Sequence, residues 1–106
     1  MGKKTVAVLF GSISSEYEVS LRSAASVLRN IPCDRYDVVM LGITKDGRWF
    51  EYAGSIDDIE SDRWLQNGPV TPAFISPDRG AGGILRLLPD GPQPVAVDAV
   101  FPVLHG

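Results

Sequence analysis

Cysteine and histidine are nearly missing from this chain: one of each in 106 residues. The lone Cys33 excludes an internal disulfide and fits a reducing compartment; we expect it to be a buried or half-buried, inert thiol. No set of His, Cys, Asp and Glu has metal-ligand spacing, so no metal site is expected. Long hydrophobic runs are also lacking. No apolar segment approaches the roughly 20 residues of a membrane helix, and the short run after "MGKK" gives way to charge too soon for a secretory signal. Positive charge is scarce and scattered, with ten Lys and Arg against thirteen Asp and Glu and a net charge of −3, which excludes a basic groove for nucleic acid. A cytoplasmic protein with neither nucleic acid nor membrane as partner is expected.

What is present suffices for one small domain with a single core: 44% apolar and 22% charged residues, ordinary for a globular chain. "TVAVLF" (5–10) is a run buried on both faces, as in parallel sheets, and Gly11 closes it. From Ser15 the period becomes helical, with Val19, Ala24, Val27 and Leu28 on one face and Leu21 and Ala25 beside it. Pro32 stops that helix. "YDVVMLGIT" (36–44) is a second strand, "KDG" a turn, and "RWFEY" (48–52) a third strand in a hairpin with the second. Residues 55–66 suggest a short helix. A Gly/Pro-rich stretch surrounds a short strand at 73–76, "GILRLLPDGPQPVAV" is a hairpin turning at "PDGPQP", and residues 96–104 form a last core strand. The order predicts an α/β domain with a largely parallel central sheet flanked by helices, plus small hairpins. In such sheets ligands sit beyond the carboxyl ends of the strands, here at residues 11–16 and 105–106. Because the chain stops just after a core strand, we expect it to be a piece of a longer protein.

The first strand exit carries the chemistry. "GSISSEYEV" (11–19) has neither G-x-G-x-x-G nor G-x-x-x-x-G-K-[S/T]. Ser15 and Glu18 match a capping box, which by itself explains Glu18. Glu16 is not needed by that box, and spacing alone makes it a partner of the helix dipole. A carboxylate at a helix mouth repels the phosphate that free amides attract, so a cation fits better, and an amino-acid ammonium is the simplest small one. His105, alone after a strand, carries little by itself. Lys45 and Asp46 read as turn residues, and Trp49 and Trp64 as packing.

"VAVLFGSISSEYEVSLRSAASVL" (6–28), "LGITKDGRWF" (41–50) and "VFPVLHG" (100–106) together resemble, in order, the N-terminal blocks of D-alanine–D-alanine ligases, including the D-alanine–D-serine and D-alanine–D-lactate variants. The resemblance spans almost the whole chain. It implies a Rossmann-like pre-ATP-grasp domain over residues 1–106 that binds the first D-alanine, with the ATP-grasp domains absent. The parent would be a cell-wall ligase using ATP and Mg²⁺ or Mn²⁺, with no cofactor expected on this chain. By the same resemblance Glu16 receives the substrate ammonium, His105 lies near its carboxylate, Val19 and Ser20 line the pocket, and Gly11 is the first glycine of the family's pair. The second glycine of that pair is Ser12 here, which resists the positive φ a glycine allows. Tyr17 stands where the family has histidine or arginine. A homodimer is among the partners the resemblance implies. The other readings are a stand-alone flavodoxin-like binding module and a dimerisation domain.

Overall fold

The computed structural model describes residues 3–13, 15–76 and 83–103. The elements run β1 (Lys4–Gly11), α1 (Tyr17–Asn30), β2 (Tyr36–Ile43), β3 (Trp49–Tyr52), α2 (Ile56–Glu60), α3 (Trp64–Asn67), β4 (Val70–Ile75), β5 (Gly83–Leu88), β6 (Gly91–Ala96) and β7 (Ala99–Pro102). The strands form one seven-stranded sheet in the order β6-β5-β4-β3-β2-β1-β7. The α/β class is as expected, but the sheet is mixed. Only β2-β1-β7 is parallel, and β2 through β6 pair antiparallel in sequence order. The reason is loop length: short connections such as residues 44–48 and 89–90 can join only antiparallel neighbours.

The two faces are buried by different means. Toward the helices, Val8 and Phe10 of β1 meet Tyr17, Leu21, Ala24 and Leu28 of α1, together with Tyr52, Ile59 and Trp64. Phe10, Tyr52 and Trp64 form an edge-on trio with ring centroids 4.9 to 6.5 Å apart. Gly42 beneath it has no room for a side chain, since a Cβ would lie 2.4 Å from the Trp64 ring. On the other face, Ala7, Leu9, Leu41, Ala73 and Ile84 are buried with no helix over them. The sheet covers this face by curling. β6 and β7 occupy opposite edges, yet only two residues separate them, and three Cα steps reach at most about 10 Å. The edges are therefore drawn toward each other around this second core, which Val95 and Val97 help to fill.

Several expectations change at this level. The core strand expected at 96–104 is, within the described residues, the shorter β7 (Ala99–Pro102). It is an edge with Val100 and Phe101 37% and 49% exposed, and among the described residues it pairs only with β1. Its start is pinned by Asp98, whose amide donates to the Thr5 carbonyl while its carboxylate accepts from the Thr5 amide, both at 2.7 Å. On the opposite edge Pro92 and Pro94 lie in β6, where a missing donor costs no ladder bond. On α1 the buried face is Tyr17, Ser20, Leu21, Ala24, Ala25 and Leu28. Val27 is exposed, one residue off that stripe. The helix ends at Ile31, which is extended before Pro32. Cys33 is exposed rather than buried, since it lies in the loop after α1. Residues 55–66 make two short helices, the first capped by the Ser55 hydroxyl, which accepts from the Asp58 amide.

Candidate functional site at the mouth of the first helix

Gly11 ends β1 with φ +89°, and a Cβ there would fall 2.1 Å from the Ile43 carbonyl oxygen. Only glycine fits. Ser12 follows with φ 109°, and its amide donates to that same carbonyl at 2.8 Å. Serine therefore keeps the turn that a second glycine would make, at the strain cost of a left-handed residue. Ile13, 69% exposed, reaches across to the β2–β3 turn at Gly47.

The predicted capping box does not form. Glu16, not Ser15, is the cap residue of α1, and its side chain makes no capping bond. The Glu18 carboxylate instead accepts from Lys45 Nζ at 2.8 Å. Parallel pairing of β1 and β2 puts the β2–β3 turn beside the helix mouth, and an ammonium outcompetes a single amide for a carboxylate. That ammonium, with the carboxylate's own backbone amide, holds Glu18 below its ordinary pKa. Lys45 also lies 5.1 Å from the centre of the Tyr17 ring. The residue read only as part of a turn is thus the cation that covers the helix mouth.

Tyr17 is 3% exposed. Its hydroxyl accepts from Trp64 Nε1 at 3.0 Å and donates to Asp62 at 3.1 Å. Burial, above all, together with the Asp62 charge, pushes the phenol up to about 12 despite the indole hydrogen bond. Tyr17, Thr44, Lys45, Asp46, Arg48, Asp62, Leu65 and Gln66 line an open cleft of about 360 Å³, part polar and part apolar, next to the α1 mouth. No local pattern in the sequence pointed to Asp62 or Lys45 here, because they come from positions 27 to 45 residues away.

Of the residues expected in the site, Gly11, Glu16, Val19 and Ser20 lie together at the carboxyl end of β1 and the first turns of α1. Glu16 is exposed, Val19 half-buried and Ser20 fully buried. The Ser20 hydroxyl accepts from the Gly11 amide at 2.9 Å and donates to the Val103 carbonyl. His105 and Gly106 lie outside the described residues. Among the described residues no three His, Cys, Asp or Glu side chains gather within metal-binding reach. With acids at the helix mouth as well, the described residues do not fit a nucleotide triphosphate or its magnesium. Among them, no helix is long and apolar enough to cross a membrane.

Fold and mouth define a class first: an α/β domain whose parallel strands end at a tight turn and an acid-bearing helix start, the end of such a sheet where ligands bind. Residues 5–106 match the family model described as D-ala D-ala ligase N-terminus. The chain is 42% identical over 106 residues to the D-alanine--D-alanine ligase of Caldicellulosiruptor bescii, covering all of this chain and 28% of that protein. It is 47% identical over 104 residues to that of Clostridium novyi, covering 98% and 26%. The VanG D-Ala:D-Ser ligase from Enterococcus faecalis superposes with a TM-score of 0.91 at 39% identity, over 99% of this chain and 30% of that one. The chain belongs to the D-alanine–D-alanine ligase family, as its N-terminal domain. It spans less than a third of the length of these relatives.

Proposed function

We propose that residues 1–106 are the first-substrate domain of a cytoplasmic, ATP-dependent ligase of cell-wall precursor synthesis, joining D-alanine to D-alanine, D-serine or D-lactate. The observation that carries this is Glu16, an exposed carboxylate at the start of α1, set directly beyond the carboxyl end of the parallel strand β1. An ammonium placed there meets a charge-assisted partner. Glu18 does not compete for it, because Lys45 already occupies that carboxylate. Val19 lines the pocket from α1, and His105 would face the substrate carboxylate. ATP and its metal, held by domains outside this chain, supply the phosphoryl group that activates the first carboxylate. The second substrate's amine or hydroxyl then attacks the acyl carbon and phosphate leaves. This chain binds and orients the first D-alanine, and a homodimer is consistent with the reading.

The test is Glu16→Gln in the full-length ligase. A charge-assisted contact contributes about 1.5–3 kcal/mol, so KM for the first D-alanine should rise at least about tenfold while KM for ATP stays unchanged. Unaltered affinity for the first D-alanine would refute the assignment. A stand-alone binding module would instead bind D-alanine or ATP as the 106-residue chain, which calorimetry would detect.

A further inference from the structure

Helix α1 begins without a capping bond from its cap residue, Glu16. Such an end relies on contacts from elsewhere in the fold to stay ordered. Two of these come from far along the chain. Tyr17 is fastened by its hydroxyl between Trp64 and Asp62. The other contact is Lys45, from the turn between β2 and β3. Its Nζ donates to the Glu18 carboxylate at 2.8 Å and lies 5.1 Å from the centre of the Tyr17 ring. One ammonium thus grips both residues that follow Glu16. The turn that carries Lys45 is closed by its own hydrogen bonds. The Thr44 amide donates to the Arg48 carbonyl at 2.8 Å and the Gly47 amide to the Thr44 carbonyl at 3.0 Å. The Arg48 amide donates to the Thr44 hydroxyl at 2.9 Å, and that hydroxyl donates to Asp46. The same turn touches the chain ahead of the helix, since a Cβ at Gly47 would lie 2.8 Å from Ile13 Cδ1. Lys45 and Glu18 are 60% and 52% exposed, so their pair adds little to global stability. What it can do is fix the direction in which the helix starts.

We propose that Lys45 is a positioning residue for the first substrate: by holding Tyr17 and Glu18 it fixes the backbone from which the Glu16 carboxylate meets the D-alanine ammonium. This rests on the reading of Glu16 given above. If the helix start is loose, binding must first select the conformers that aim the carboxylate correctly, and affinity falls with the fraction of molecules so aimed. An exposed ion pair biases such a choice only a few-fold, so the effect on affinity has the same size. A lysine that merely fills a turn would leave the affinity for D-alanine unchanged.

The experiment uses the full-length ligase carrying this domain. Lys45→Met keeps the aliphatic stem and removes the charge. It is expected to raise KM for the first D-alanine about threefold, with kcat and KM for ATP unchanged. Glu18→Gln breaks the same pair from the other side and should raise that KM equally. The double variant should be no worse than either single one, because one contact is lost in all three. In a Glu16→Gln background, Lys45→Met should raise KM no further, since the carboxylate being aimed is gone. Wild-type KM for the first D-alanine in Lys45→Met or in Glu18→Gln overturns the proposal, and so does an equal rise in KM for ATP. A Lys45→Met effect that persists undiminished in the Glu16→Gln background overturns it as well. Glu16→Gln by itself separates the two ideas. Unchanged KM there removes the substrate assignment and the role of Lys45 with it, whereas a raised KM there beside a wild-type KM in Lys45→Met removes only the role of Lys45.

Discussion

At position 11 the backbone decides the residue. Gly11 combines φ +89° with a Cβ position 2.1 Å from a backbone oxygen, and neither flexes away cheaply. Gly11→Ala should cost about 3 kcal/mol or more, read by chemical denaturation. Ser12 has the opposite liability. Its φ of 109° is strained for serine, so Ser12→Gly should raise stability by about 1 kcal/mol, the relief of strain exceeding the extra entropy of an unfolded glycine. Lower stability in Ser12→Gly would mean the serine side chain contributes more than its strain costs. Ser15 was read as a cap but makes no capping bond, so Ser15→Ala should lie within about 0.5 kcal/mol of wild type. A loss of 1 kcal/mol or more would restore the capping box.

Helix α1 shows how an element depends on its neighbours. Its first turn is held by Tyr17, buried between Trp64 and Asp62. An unfolded tyrosine ionises near 10.0, and the folded Tyr17 near 12. Between those values the unfolded chain has released a proton that the folded one keeps. Stability is therefore fully present below pH 10 and falls as pH rises toward 12, by about 2 kcal/mol for this group. Burial raises Tyr52 in the same direction. Tyr17→Phe should be less stable at neutral pH, having lost two hydrogen bonds, but should lose less on going from pH 9 to 11.5. Urea titrations of both proteins across that range check it, and parallel curves would show that Tyr17 does not ionise with unfolding. The Lys45–Glu18 pair, exposed on both sides, should by contrast contribute little to stability.

On the scale of the whole molecule, the sheet curls until its sequence-adjacent edge strands approach, and this buries the second face without a helix. The same architecture places the cationic Lys45 and the acidic Glu16 on one end of the domain. It offers no phosphate cradle among the described residues. Incubated with ATP, magnesium and D-alanine, the 106-residue chain should release no phosphate above background, because phosphoryl transfer depends on positioning and charge stabilisation that these residues do not supply. Dipeptide formation by this chain would sink the proposed division of labour.

Much was legible in the order of residues. Gly11, Glu16, Val19 and Ser20 were grouped by the family resemblance, while the β1–turn–α1–β2 unit, the β2–β3 hairpin, the β5–β6 hairpin and the packing roles of Trp49 and Trp64 all follow from periodicity and turn residues. These are local properties, carried by neighbours three or four positions apart. The sequence by itself determined which residues could form each element and that an acid would stand at the helix mouth. Only the tertiary structure decided that Glu18 would pair with Lys45 instead of capping its helix, that Ser20 would bond to Gly11 and Val103, that Val27 would face out, and that β7 would be an edge. The first two of those outcomes are competitions between a local partner and one from far along the chain. The distant partner prevails when the fold delivers a better-matched charge or a buried amide to the same atom.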